Sequence, residues 1–146
     1  MKRNYGVYHV GLKILLKKGD EFLFLRGQSG KYWDLPGGRI DNTEDKVLLE
    51  KILEREVREE LGKDLKYKLG ASLFQFRRFI KSKGHRVFIV VYGADYVSGE
   101  IKLSSEHSGS EWLNPKTQKL KAKDFMNQEE YKAFKNYFEN YQTLGV

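Results

Sequence analysis

Residues 37–62 read GGRIDNTEDKVLLEKILEREVREELG, and the fold follows from how this stretch divides. Two glycines after a proline mark a backbone under local constraint. Residues 44–61 contain no Gly or Pro and are rich in Leu, Glu, Lys and Arg, which predicts a helix that Gly62 stops. On that helix Glu56, Glu59 and Glu60 stand at i, i+3 and i+4 and so project from one side. With Glu56 at zero and about 100° per residue, Glu59 falls near about −60° and Glu60 near about +40°. Leu53, Val57 and Leu61 lie at about +60° to +140°, and Lys51, Arg55 and Arg58 at about −100° to −160°. The three carboxylates therefore occupy the seam between an apolar stripe and a basic outer face. Acids this close repel one another, and hard divalent cations, magnesium above all, relieve the repulsion and bridge to phosphate oxygens. A solvated, ion-paired surface is the alternative, and the helix alone does not choose.

Working outward, residues 7–17 and 21–26 carry the β-branched and apolar residues of strands, with Gly19-Asp20 as the turn of a hairpin. Residues 27–31 are small and polar, a loop that leads into Tyr32-Trp33-Asp34-Leu35-Pro36. Downstream, residues 65–80 and 86–97 predict two strands around a basic turn at residues 81–85. The run VFIVVYGADYV suits a central strand buried on both faces. Residues 111–113 form a short strand running into Asn114-Pro115, an N-cap and first helical position. A last helix over residues 128–141 sets Tyr131, Phe134, Phe138 and Tyr141 on one face. Strands and helices in this order predict an α/β fold in one domain, residues 1–146.

The composition narrows the chemistry. The chain has no cysteine, which excludes a disulfide scaffold, a zinc ribbon and a thiol nucleophile, and fits a reducing cytoplasm. The longest early apolar stretch is broken by His9 and Lys13 and is too short to span a bilayer, so no membrane partner is expected. With 27 Lys and Arg against 20 Asp and Glu, the net charge of +7 predicts an acidic partner such as a nucleotide or nucleic acid.

Gly38, five residues, Glu44, a spacer and then REVREELG at residues 55–62 resemble the Nudix box of the MutT-like Nudix hydrolases, GX5EX7REUXEEXGU, where U is a bulky apolar residue. Two departures stand out. Ten residues rather than seven separate Glu44 from Arg55, a three-residue insertion, and Lys63 occupies an apolar position of the box. The resemblance implies a Nudix-type α/β/α sandwich around a mixed β-sheet, and a pyrophosphohydrolase dependent on magnesium, with manganese as the other candidate. It implies Glu59 and Glu60 as the main metal ligands, and Glu56 as a further ligand or the general base. Arg55 would orient these carboxylates by charge-assisted hydrogen bonds. On this resemblance Glu56, Arg55 and Glu59 form the catalytic set, and the Gly37 carbonyl is a further ligand. Glu44 is carried only as a supporting residue, since the insertion unfixes its position.

Some members of that family add a glutamate from a later loop. Glu106, in a small-residue loop six positions before Trp112, is preferred here to Glu111, which is expected to point outward from its strand. His107 beside it is a candidate acid/base or phosphate contact, with a bystander role as the plainer alternative. Substrate contacts are expected from Gly38, from Arg26 at a strand end and from Trp33, although Arg26 suits a surface ion pair and Trp33 suits packing equally. The basic cluster Arg77, Arg78, Lys81, Lys83, His85 and Arg86 could grip a polyphosphate or RNA, or be a solvated turn. The expected reaction is hydrolysis of a pyrophosphate bond in a nucleoside diphosphate derivative: an NTP or dNTP, a nucleotide sugar or a dinucleoside polyphosphate. Removal of pyrophosphate from RNA 5′ ends and non-catalytic nucleotide binding are the alternatives, in a monomer or homodimer.

Overall fold

Among the described residues the structure has seven strands and two α-helices; five strands and both helices form at or near the segments that the sequence marks, and two short strands, at residues 33–34 and 37–39, are additional. The computed structural model describes residues 2–143, with side chains as far as Tyr141. Strand β1, His9–Lys18, turns at Gly19 and Asp20 into β2, Glu21–Gly27, as a hairpin. The two strands stay paired only beside the turn, at Lys17–Phe22 and Lys18–Glu21. Beyond it they part, and residues 33–39 are wedged between them. There β3, Trp33–Asp34, pairs with β2, and β4, Gly37–Arg39, pairs with β1. The wedge carries the paired glycines into the interior of the sheet. On its other side β1 runs parallel to β6, His85–Ser98, which pairs antiparallel with β5, Lys66–Ile80. The outer edge of β2 is taken by β7, His107–Leu113. The sheet is therefore mixed.

Side chains alternate across each strand, so the sheet has two apolar faces. Leu12, Ile14, Leu16, Leu23 and Leu25 face helix α1, Leu49–Leu61, and meet its Ile52, Leu53, Val57 and Leu61. Leu15, Phe22, Phe24, Phe76, Ile89 and Val91 face helix α2, Gln128–Thr143, and pack around Phe134 and Phe138. The aromatic face of the last helix thus lies on the sheet. The layers are helix, mixed sheet, helix, the α/β/α sandwich that the resemblance implies. Among the described residues no helix is long and apolar enough to cross a membrane.

Three local expectations change. The helix of the box begins at Leu49 rather than at residue 44, because residues 42–44 close a separate 3-10 turn. Asp41 caps that turn: its Oδ2 accepts from the Thr43 N–H at 3.0 Å, and its own N–H donates to Glu44 Oε1 at 2.9 Å. Strand β6 is buried toward α2 at Val87, Ile89 and Val91, but not on both faces. On the α1 side burial falls away from Ala94, 5% exposed, to Phe88, 37% exposed. A 13-residue helix is about 20 Å long and cannot cover a 14-residue strand of about 46 Å. Finally, Asn114-Pro115 opens a single turn and no helix. The Asn114 Oδ1 accepts from the Lys116 N–H and its carbonyl accepts from Gln118, after which the chain runs on without regular structure to a 3-10 turn at Ala122–Asp124.

Candidate active site

Helix α1 grades its three glutamates from interior to solvent. The Glu60 side chain is 5% exposed, Glu56 18% and Glu59 59%. A carboxylate as deeply placed as Glu60 needs donors. The Gly37 N–H supplies one, donating to Glu60 Oε1 at 2.7 Å, and His107 Nε2 lies against Glu60 Oε2. That contact raises His107 above the usual imidazole range, against the opposing effect of burial.

The loop after β6 is tied to the end of α1. Lys102 and Ser104 donate their N–H groups to the carbonyls of Leu61 and Glu60, both at 2.9 Å. These bonds satisfy helix-terminal carbonyls that would otherwise lack partners. They also bring the loop's carboxylate to the helix: ligand atoms of Glu60, Glu106 and His107 all lie within 4.8 Å of one another. Glu111, by contrast, is exposed on β7.

Arg55 holds the outer part of the group. Its guanidinium reaches Glu44 Oε1 at 2.9 Å, Glu56 Oε1 at 3.0 Å and Glu59 Oε1 at 3.1 Å. The insertion leaves Glu44 in contact, because the capped 3-10 turn folds it back toward α1. Glu56 is pushed above the usual carboxylate range by burial first, and by Glu59 and Glu60, with Arg55 opposing.

The glycines make room for the carboxylates. A Cβ at Gly38 would stand 2.2 Å from Glu56 Oε2. Gly37 has φ +141°, and a Cβ there would stand 2.0 Å from the Leu12 carbonyl oxygen. Arg26 and Trp33 are brought together elsewhere. The Arg26 guanidinium stacks 3.4 Å from the Trp33 ring centroid, donates to the Lys31 carbonyl and pairs with Asp124 at 3.7 Å. Trp33 itself is 5% exposed and packs on Phe24. Of the basic cluster, Arg77 pairs with Glu129 and Arg78 with Glu130 and Asp34, so these two are structural ties between β5 and its neighbours.

His107 is the residue that sequence reasoning undervalues, and its placement has a definite cause. Down β7 the pairing runs Trp112–Leu23 and Ser110–Leu25, with Leu23 and Leu25 facing α1. Strict alternation would next bring Ser108 opposite Gly27. Instead Arg26 pairs with Gly109 and Gly27 with His107, a bulge of one residue. The bulge turns His107 to the α1 side, where Glu60 lies. Ser108 Oγ pins it by donating to the Gly27 carbonyl at 2.8 Å.

The donor set fits a hard divalent cation. Apart from the His107 ring nitrogen it is made of carboxylate oxygens, crowded enough to favour a counter-charge. Ser104 Oγ and His107 Nδ1 are the buried side-chain polar atoms without a hydrogen-bond partner among the described residues, and both adjoin Glu60 in the chain contacts above. Beside the group, an open cleft of about 920 Å³ runs from Arg55 and Glu56 past the end of β4 to Arg39, His9 and Tyr8.

The family model of the NUDIX domain matches residues 7–137. No curated protein matches the chain. Among solved structures, a MutT protein from Methanosarcina mazei Go1 superposes with a TM-score of 0.66 at 26% identity, over 94% of this chain and 95% of that one. A MutT NUDIX hydrolase from Burkholderia pseudomallei gives 0.69 at 19%, over 90% of this chain and 98% of that one. A UDP-X diphosphatase gives 0.68 at 17%, over 97% of this chain, which spans 66% of that longer protein. The chain therefore belongs to the NUDIX domain family, and it is a hydrolase of that family's kind, acting on phosphorus-containing anhydrides.

Proposed function

We propose that the protein hydrolyses a pyrophosphate bond in a nucleoside diphosphate derivative, using magnesium or manganese held by Glu56, Glu59, Glu60 and Glu106 with the Gly37 carbonyl. One observation carries this reading: Glu60 is buried, pinned by the Gly37 N–H and His107, and stands one turn from a Glu56 clamped by Arg55. A solvated, ion-paired helix face has no reason to bury a carboxylate between a backbone N–H and an imidazole. When bound, the metal would act as a Lewis acid toward the phosphates and lower the pKa of a bound water. The protein's own groups do the rest. Glu56 accepts the proton of the attacking water while that oxygen bonds to one phosphorus and the bridging P–O bond breaks, leaving two phosphate products. Arg55 keeps Glu56 and Glu59 oriented, and His107 and Gly37 fix Glu60.

The substrate class is tested by a hydrolysis panel with magnesium: NTPs, dNTPs, UDP-sugars, dinucleoside polyphosphates and 5′-triphosphate RNA. Turnover of one or more diphosphate or polyphosphate substrates is expected, falling at least ~100-fold in Glu59→Gln and Glu60→Gln. A wild type that binds nucleotides but turns over none of them would mean a binding module. Glutamine variants as active as the wild type would refute the metal assignment. Preference for RNA over every nucleotide would replace the nucleotide reading with 5′-end processing.

A further inference from the structure

We propose that Arg39, with His9 and His85, forms an anion subsite that seats a phosphate group of the substrate beyond the bond being cleaved. This rests on the reading of the α1 carboxylates as the cleavage site, and it deepens that reading: preferred substrates would carry a polyphosphate tail. Arg39 follows Gly38 directly and lies opposite Gly11 in the β1–β4 ladder. His9 stands two residues before Gly11 on β1, and His85 begins the parallel neighbour β6, so three strand ends meet here. The imidazoles are 4.5 Å apart, centroid to centroid. Arg39 Nη1 lies 3.0 Å from His9 Nδ1 and 3.1 Å from His85 Nδ1.

The chemistry of those contacts is directional. A guanidinium only donates, so both Nδ1 atoms accept, and each neutral ring carries its proton on Nε2. Burial, together with His9, Arg39 and Lys83, lowers His85 below the usual imidazole range, in keeping with a neutral ring. The cluster thus offers two Nε2–H donors and the guanidinium N–H groups left over. Arg39 forms no ion pair with a carboxylate among the described residues, whereas Arg55, Arg77 and Arg78 each do. Among the described residues its guanidinium is shared with imidazoles alone, although Asp41, Glu44 and Asp45 line the same cleft. Arg39 and His9 line the cleft that also holds Glu56, so an anion seated on them shares one space with the carboxylate group. Arg86, stacked on the Tyr8 ring of the same cleft at 4.8 Å, adds positive potential nearby. A planar fork flanked by neutral donors suits the oxygens of a phosphate.

Isothermal titration with inorganic tripolyphosphate in EDTA tests the subsite directly. Wild-type protein should bind, Arg39→Gln should bind at least tenfold more weakly, and Arg39→Lys, which keeps charge but loses the fork, should fall between. The double variant His9→Ala/His85→Ala should lose severalfold, and it carries the test if thermal melting shows that Arg39→Gln does not fold. Lys119→Gln removes the same charge elsewhere and should bind as the wild type does. The proposal is overturned if the wild type does not bind. It is equally overturned if Arg39→Gln stays within twofold of wild type, if Lys119→Gln loses as much, or if a 5′-hydroxyl oligoribonucleotide competes as well as tripolyphosphate. The titration contains no metal and reads no turnover, so its failure is distinct from failure of the hydrolysis panel.

Discussion

A methyl group added at Gly38 would meet a side-chain carboxylate, whereas one added at Gly37 would meet backbone. The neighbouring glycines therefore serve different ends, and the same substitution should separate them. In Gly38→Ala the Glu56 carboxylate can swing away at little cost to folding, but its placement against a reacting water is lost. A displacement of about 1 Å in such a group costs on the order of 100-fold in rate, so kcat should fall by about that much while the urea midpoint moves little. Gly37→Ala must instead hold an L side chain at φ +141° against the Leu12 carbonyl. The dihedral alone costs about 1–3 kcal/mol, and the collision adds to it, so the urea midpoint should drop clearly. If Gly38→Ala destabilised the fold and Gly37→Ala did not, the cradle would be wrongly described.

At the scale of elements, Arg55 joins a helix to a 3-10 turn eleven residues earlier through Glu44, and to its own helix through Glu56 and Glu59. Lysine keeps the charge but cannot fork between three carboxylates. Arg55→Lys should lower kcat/KM by about 10–100-fold, the usual effect of losing a group that orients ligands, with far-UV circular dichroism unchanged; a loss of helix instead would make Arg55 a folding residue. Much of this helix is legible from spacing alone. The wheel angles put Glu60 nearest the apolar stripe and Glu59 farthest, and the exposures follow that order. The insertion is not legible in the same way, because residues 44–48 have helix-forming composition, yet the capped turn at 42–44 and the turn bond from the Val47 N–H to the Glu44 carbonyl hold them out of the helix. His107 is harder still. Its direction depends on a one-residue bulge against β2, and pairing between strands so far apart in sequence leaves no local signal. The wedge of residues 33–39 between β1 and β2 is hidden for a similar reason: a hairpin turn predicts pairing beside the turn and says nothing of where the strands part.

Across the whole molecule the two helices do different work. One presents the carboxylates, and the other is anchored by a buried ion network that crosses the sheet. Arg78 on β5, 8% exposed, donates to Glu130 at the start of α2 at 2.7 and 2.8 Å and to Asp34 on β3 at 3.1 Å, and Lys13 on β1 stands 3.4 Å from Asp34. Burial favours the neutral form of Asp34, but Lys13, Arg78 and the Leu35 N–H outweigh it and hold the carboxyl well below the usual range. A carboxylate depressed in the folded state contributes stability that is present above its unfolded pKa and lost as pH falls below it. Wild-type stability should therefore decline as pH drops below about 4, the unfolded value for aspartate. Arg78→Met removes one of the two cations facing Asp34 and leaves Glu130, 1% exposed, without its partner. Breaking a buried pair in this way costs about 3–5 kcal/mol, so the variant should unfold at much lower urea at pH 7. Because Asp34 would then be held less firmly in its charged form, the variant's stability should also fall less steeply between about pH 4 and pH 3 than that of the wild type. Urea midpoints for both proteins from pH 3 to 7 decide the matter. Parallel curves with the same acid slope would mean that Asp34 is held by Lys13 alone, and that Arg78 serves the α2 anchor without reaching across the sheet.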